Sequence, residues 1–98
     1  IGAIMTNASL TKVQATRLAQ VGHDGLARTI RPVHTPMDGD TLFALSTARQ
    51  PGEVDMMRLC TAAAEVTAQA VLSAVRHAQD LRLGARWWPA ASSVSAIT

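Results

Sequence analysis

Apolar residues follow two alternating patterns over the first 80 positions: a short apolar run, then a longer stretch with helical spacing. Residues 1–6 and 41–46 are apolar runs rich in β-forming side chains, which predicts buried strands. Residues 12–27 and 53–79 place apolar or small side chains at helical spacing, which predicts helices. The order strand, helix, strand, helix predicts an α/β (α+β) core over residues 1–80.

The first predicted helix has a clear beginning and a small-residue face. Thr11 followed three positions later by Gln14 is a capping box, in which each residue satisfies a free backbone N–H of the other. Small residues lie on and beside the apolar face. Such a face predicts close packing on a sheet or another helix, which must offset about 1 kcal/mol of helix propensity per glycine. The small residues are Ala15, Ala19, Gly22 and Gly25.

The second predicted helix carries charges that suit its dipole. Glu53 and Asp55 are expected in its first turn, and Arg76 and His77 in its last turn. An 11-residue connection that contains two prolines separates the first helix from the second strand. Connections of this kind often carry functional residues.

The last part of the chain, residues 81–98, is expected to be an irregular arm with frayed final residues. The paired residues Trp87 and Trp88 are interpreted as anchors that hold this arm in a groove rather than as ligand contacts. Two strands are too few for a sheet of the usual size. We therefore expect further strands from another chain.

Composition narrows the class of protein. With 48% hydrophobic and 16% charged residues over 98 positions, the chain is typical of one globular domain. The net charge of +2 comes from scattered residues without a basic run, so no nucleic-acid partner is predicted. No apolar run approaches the roughly 20 residues that cross a bilayer, so no membrane partner is predicted. The single cysteine, Cys60, is consistent with a reducing cytoplasm and is interpreted as a structural core thiol.

The chain begins at Ile1, inside the first predicted strand, and not with Met. A charged α-amine beside a core is costly unless it has a role, so removal of an upstream segment is one interpretation. A segment shortened for unrelated reasons would begin in the same way. The beginning of the chain therefore leaves both interpretations open.

Asp38-Gly39-Asp40 is the one concentrated acidic feature, directly before the second predicted strand. In extended backbone, residues two apart face the same side, so Asp38 and Asp40 would point into one site. A solvated turn is the alternative, since Asp-Gly is common in turns. A magnesium or calcium site is not expected, because the nearby His34 is a poor ligand for these ions. No metal or cofactor is therefore predicted.

The three histidines could take part in acid–base chemistry, but none has a recognisable motif spacing. His23 is interpreted as a surface or interface residue. His34, in the connection with two prolines, is a stronger candidate for acid–base chemistry than His23. A structural hydrogen bond to loop backbone is the preferred interpretation of His34.

The run His23-Asp24-Gly25-Leu26-Ala27-Arg28-Thr29-Ile30-Arg31-Pro32-Val33-His34-Thr35-Pro36-Met37-Asp38-Gly39-Asp40-Thr41-Leu42-Phe43-Ala44-Leu45 resembles the family of β-peptidyl and D-amino-acid-releasing aminopeptidases. Within that family it is most similar to the branch of nylon-oligomer (6-aminohexanoate oligomer) hydrolases. The resemblance extends back to Ile1 and forward to about residue 46. The second predicted helix matches the family only in being a long helix, and the tryptophan-containing tail departs from the family pattern.

This resemblance implies a precursor that cleaves itself before a Thr or Ser, which becomes an N-terminal nucleophile. The nucleophile is expected two residues before Ile1, in an Asn-Thr-Thr-Ile-Gly context, so the 98 residues do not include it. Asp38 and Asp40 match the acidic positions near the nucleophile and are expected to orient and tune it. The implied fold is a four-layer αββα sandwich of the N-terminal-nucleophile-hydrolase type. This chain would supply its β-α-β-α half, and a larger chain the rest, including the oxyanion site.

The expected function is that of the small subunit of an autocleaved cytoplasmic amide-bond hydrolase. Short peptides, β-peptides and 6-aminohexanoate oligomers are the expected substrates, and the partner is the larger N-terminal subunit of the same precursor, in an oligomer of heterodimers. Two alternatives remain open at this point. One is an acyltransferase similar to ornithine acetyltransferases, and the other is a noncatalytic assembly module.

Overall fold

The computed structural model describes residues 1–94 of the chain. Both long helices and both main strands lie where the sequence predicts them, and their ends differ from the predictions by a few residues. The elements in chain order are β1 (Gly2–Ala8), α1 (Lys12–Thr29), β2 (Leu42–Gln50), α2 (Met56–His77), β3 (Leu81–Leu83), β4 (Arg86–Trp88) and α3 (Ala91–Val94). The fold is thus a mixed α/β arrangement, compatible with the predicted α+β class.

The two main strands form a parallel pair. Gly2 lies opposite Leu42 and Thr6 opposite Ser46, with a register shift immediately after Thr6. The first inter-strand bond runs from the Gly2 N–H to the Thr41 carbonyl oxygen over 2.9 Å. Both strands therefore begin at the same end of the sheet, and α1 provides the connection that parallel strands require.

Local signals in the sequence set the beginnings of the two long helices. In α1 the predicted capping box is present: the Thr11 hydroxyl accepts from the Gln14 N–H, and the Gln14 side chain accepts from the Thr11 N–H. In α2 the expectation about its first turn is wrong. Asp55 is the N-cap, with its carboxylate accepting from the Arg58 N–H at 3.1 Å, and Glu53 lies before the helix. A short side-chain acceptor one position before the first turn satisfies a free N–H better than one inside it.

The hydrophobic core of the chain is small. Leu18 of α1 is completely buried, and it clusters with Ile4 of β1 and Ala63 of α2. Partly buried residues surround this cluster, and the predicted core thiol Cys60 is one of them, half-buried against it. The others are Leu10, Leu42, Ala44 and Leu59.

Glycines allow α1 to approach its neighbours closely, as the small-residue face predicts. A methyl group added at Gly25 would collide with the backbone of α2 at Ala64 and Ala68 and with the Thr67 side chain. At Gly22 it would collide with the Ile4 side chain of β1. The contact between α1 and α2 is therefore made backbone to backbone, where no side chain fits.

One face of the sheet is exposed although it is apolar. Side chains alternate between the two faces of a strand, and the even-numbered positions of β1 and β2 face the helices. The opposite positions form what we call the outer sheet face: Ala3, Met5, Phe43 and Leu45. Met5 is 77% exposed and Phe43 54% exposed. An apolar sheet face of this kind is usually covered by another layer.

The expectation of an irregular arm after residue 80 is wrong for the part that the structure describes. Strands β3 and β4 form an antiparallel hairpin, with Gly84 at a φ of 59° in its turn, and α3 follows. Trp87 and Trp88 remain about half exposed, and the Arg82 guanidinium lies 5.3 Å from the centre of the Trp87 ring. The frayed final residues that were predicted fall at 95–98, outside the described residues.

Asp80 ties the hairpin to α3. Its carboxylate accepts from the Ala90 N–H at 2.7 Å, the Ser93 hydroxyl at 2.7 Å and the Trp87 indole N–H at 3.3 Å. The bonds from Ser93 and Ala90 favour the ionised form and lower the pKa of Asp80 below its ordinary value of 3.8. One exposed carboxylate thus joins three positions of a segment that has little core of its own.

We expect Gly25→Ala to destabilise the protein. The added methyl group overlaps backbone atoms of α2 that cannot move separately, so a loss of about 1–3 kcal/mol should outweigh the gain in helix propensity. Urea unfolding of the intact protein measures this change. Gly39→Ala is the control, because nothing lies within 4 Å of that position, and its effect should stay below about 1 kcal/mol. Equal stability of the two variants would show that the helices do not pack this closely.

We also expect the docking of the tail to weaken in acid. Because the pKa of Asp80 is lowered in the folded state, its stabilising effect is complete above pH 3.8 and is lost as the pH falls through the lowered value. Hydrogen–deuterium exchange of residues 85–94 should be faster in Asp80→Ala than in wild type at neutral pH. The difference should disappear in strong acid. Glu53→Ala, which changes an exposed acid before α2, should match wild type throughout, and a pH-independent difference would contradict this account.

Candidate functional site

A cleft of about 480 Å³ opens at the end of the sheet where both main strands begin. Its floor is the start of β1 with the first residue of β2, and α2 forms a wall of small and aliphatic side chains. Parallel pairing places the two strand beginnings side by side, so residues nearly 40 positions apart in the sequence meet here. The lining residues are Ile1 to Met5, Leu26, Asp40, Thr41, Leu42, Val66, Thr67, Ala70, Val71 and Ala74.

Asp40 is the acidic residue of this cleft among the described residues. It precedes Thr41, whose carbonyl oxygen accepts from the Gly2 N–H, so its position follows from the pairing of the strands. Ile1, which is fully exposed, lines the same cleft. The structure therefore places Asp40 and the beginning of β1 at one site, with apolar walls and a single acid.

Asp38 has a different position from Asp40. Its carboxylate accepts from the Thr35 N–H at 2.9 Å, and its own N–H donates to the Thr35 carbonyl oxygen at 3.0 Å. These two bonds close a turn at the exposed surface, and Asp38 is not among the residues that line the cleft. In this chain by itself, the acidic pair is divided between a turn and a cleft.

Two histidines are brought together beside this turn. His23 Nδ1 of α1 lies 3.2 Å from His34 Nε2 of the following loop, within hydrogen-bonding distance, with the ring centres 5.3 Å apart. The preferred interpretation of His34, a bond to loop backbone, is therefore wrong, since its partner is another side chain. The spacing of 11 residues, from a helix to an irregular loop, gives no sequence signal for this contact.

The apolar wall of the cleft could be found only in part from the sequence. The small and aliphatic residues of α2 recur at helical spacing in the sequence, but nothing in that pattern indicates that part of this surface faces a cleft. Within residues 1–94, no group of three or more His, Cys, Asp or Glu side chains is placed to hold a metal ion. The chemistry that these residues themselves offer is that of a carboxylate beside an apolar cleft.

Comparison with known protein families identifies the family of this chain. Residues 1–86 match the model of peptidase family S58, a stretch that includes β1, α1, β2, α2 and the cleft between them. The chain belongs to peptidase family S58. The match ends within β4, so Trp87, Trp88 and the residues after them lie beyond it.

Several curated proteins share much of the sequence. An uncharacterized aminopeptidase of Mycobacterium tuberculosis is 44% identical over 94 residues, which cover 83% of this chain and 27% of the relative. A 6-aminohexanoate-oligomer endohydrolase of Kocuria sp. is 38% identical over 87 residues, covering 78% of this chain and 24% of the relative. A second 6-aminohexanoate-oligomer endohydrolase, from Agromyces sp., is 47% identical over 47 residues, covering 48% of this chain and 13% of the relative.

The chain spans about a quarter of the length of the first two of these relatives. These matches support the resemblance drawn from the run 23–45, both to the aminopeptidases and to the nylon-oligomer branch. None of the helices among residues 1–94 is both long and apolar enough to span a membrane.

Proposed function

We propose that this chain is the C-terminal part of a self-processing amide-bond hydrolase, and that a Thr or Ser two residues before Ile1 is its nucleophile. Short peptides, β-peptides or 6-aminohexanoate oligomers are the proposed substrates. The observation that carries the proposal is the register of β1 and β2 at the cleft. The membership of this chain in peptidase family S58 and the names of its relatives support the same chemistry.

The register gives the expected nucleophile a definite neighbour. Gly2 pairs with Leu42, so Ile1 corresponds to Thr41, the residue before Ile1 to Asp40, and the residue before that to Gly39. If the strands continue one for one, a nucleophile at that last position lies beside Gly39. It would then be flanked by Asp38 and Asp40. This arrangement needs two acids that are two residues apart in the sequence, as Asp38 and Asp40 are.

An N-terminal Thr or Ser provides both parts of the reaction at that position. Its α-amine has an ordinary pKa of about 7.7 to 8.0, so near neutral pH a useful fraction is unprotonated and can accept the hydroxyl proton. The oxygen attacks the amide carbonyl carbon, the amine of the substrate leaves with that proton, and an acyl-enzyme ester remains. Water then hydrolyses the ester. No metal or cofactor is required for these steps.

The two acids have unequal roles in this proposal. Asp40 lines the cleft, and we assign to its carboxylate the role of holding the α-ammonium form and favouring a proton on that amine. Asp38 bonds to the Thr35 N–H through one carboxylate oxygen, which fixes the turn that leads to Asp40, and we assign its other oxygen to the arriving N-terminus. Both acids orient the nucleophile, and neither attacks the substrate.

The remaining parts of the fold are assigned to a larger N-terminal chain from the same precursor. The relatives are about four times as long as the matched segment, and the apolar outer sheet face has no cover within residues 1–94. A second sheet packed on that face, with its own helices outside, gives the four-layer αββα sandwich. The oxyanion site would lie on that chain, and the heterodimers would assemble further in the cytoplasm.

The proposed cleavage is tested by the mass and N-terminal sequence of the small chain from active protein. We expect a chain that begins with Thr or Ser two residues before Ile1. Exchange of that residue for Ala in the intact precursor should leave one uncut chain without hydrolytic activity. Active protein with an unbroken chain, or with a small chain that begins at Ile1, would refute the proposal.

Hydrolysis is distinguished from acyl transfer by adding amine acceptors to the reaction. They should give no transfer product, and transfer in preference to hydrolysis would favour an acyltransferase.

Asp40→Asn should reduce hydrolysis strongly. Loss of a carboxylate that handles a proton typically costs about 10²–10⁴-fold in rate, and Asp38→Asn should cost less because its amide oxygen can still accept from Thr35. The measurement is kcat for a short amide substrate. The control is Glu53→Gln, an exposed acid near Ser9 and Gln14 at the opposite end of the strands. If Asp40→Asn kept wild-type activity, Asp40 would have a role in assembly only.

A further inference from the structure

The loop between α1 and β2 has few attachments to the rest of the described structure. Its internal bonds join Thr35 to Met37 and Asp38, and Thr41 to Gly39. Its end is held by the strand bond between Thr41 and Gly2. Among residues 1–94, the contact between His34 and His23 is the side-chain hydrogen bond that connects residues 31–40 to another element. It connects the middle of the loop to the rigid helix α1.

His34 has a backbone conformation that supports a specific role. Its φ is 54°, in the left-handed region that side chains other than glycine rarely adopt. A conformation of this kind persists only when surrounding contacts hold it. In this conformation the His34 ring lies at 3.2 Å from His23 Nδ1, tilted by 48° to the His23 ring. One imidazole donates its N–H to the other, which accepts through its unprotonated nitrogen.

The contact lies directly before the acidic positions. Thr35, next to His34, makes both bonds to Asp38, and Asp40 follows two residues later at the cleft. A displacement of His34 therefore moves the turn, and the turn carries Asp40. Small displacements of an orienting group reduce rates greatly, because the reacting atoms must meet at about 3 Å.

We propose that His23 is a positioning residue of the amidase site, which fixes Asp40 at the cleft through its hydrogen bond to His34. This inference rests on the proposed function of Asp40. His23 does not contact the cleft, since it is not among the residues that line it. Its effect should therefore be on kcat and on the rate of self-cleavage, and not on substrate affinity.

The test compares variants of the intact precursor by activity and by hydrogen–deuterium exchange of residues 30–40. His23→Ala should increase exchange in this loop and reduce kcat about five- to tenfold, the usual effect of losing one hydrogen bond, with KM changed less than about twofold. His23→Asn should restore most of kcat, because its side-chain amide can occupy the place of Nδ1 and bond to His34. A purely structural role for the imidazole ring would not be rescued in this way.

His77→Ala is the matched control. His77 is exposed, and within residues 1–94 its ring forms hydrogen bonds with Ser73 of its own helix, so both exchange and kcat should remain at wild-type values. Unchanged loop exchange and kcat in His23→Ala, with Asp40→Asn inactive, would overturn the positioning role and leave the proposed function standing. Full activity of Asp40→Asn would refute the role of Asp40, and the positioning role of His23 would fall with it.

Discussion

The parallel pairing of β1 with β2 is the interaction on which the other features depend. The bond from the Gly2 N–H to the Thr41 carbonyl oxygen fixes the register at the first residue of both strands. That register decides which residues share the end of the sheet, and hence that Asp40 lies beside the beginning of β1. A shift by one residue would turn Ile4 away from the core and place a different loop residue at the cleft.

Close packing of the helices maintains this pairing. Gly22 and Gly25 let α1 lie against β1 and α2 at distances that no side chain allows. Among residues 1–94, Leu18 is the one large side chain that is fully buried. The core therefore has little apolar volume, and close backbone contact supplies much of the dispersion energy instead. The ion pair of Arg28 with Glu65, 3.9 Å apart and well exposed, adds little. The geometry of the site thus depends on small residues more than on large ones.

The sequence predicted those parts of the fold that local signals decide. The capping box at Thr11 and the apolar runs of both strands are of this kind, and so is the small face of α1. The hairpin of β3 and β4 was missed because contacts over 7 to 13 positions, from Asp80 to Trp87, Ala90 and Ser93, stabilise it.

The candidate site also has one part that the sequence predicts and another part that it does not. The position of Asp40 follows once the register is known, because the acidic pair comes directly before β2. The turn at Asp38 was the alternative that its Asp-Gly sequence offered. The pairing of His23 with His34 has no sequence signal, because it depends on the path of an irregular loop.

The exposed surfaces of this chain and the position of its cleft have one common explanation. A core of this size leaves Met5 and Phe43 uncovered on the outer sheet face, and the cleft beside β1, lined by α2 and by Leu26 of α1, opens at the same end of the sheet. If a larger chain covers the outer sheet face and also extends over the cleft beside it, it would remove water from around Asp40. A carboxylate interacts more strongly with a nearby ammonium group when water is excluded. Assembly would then stabilise the small chain and strengthen the electrostatic contact that its chemistry requires.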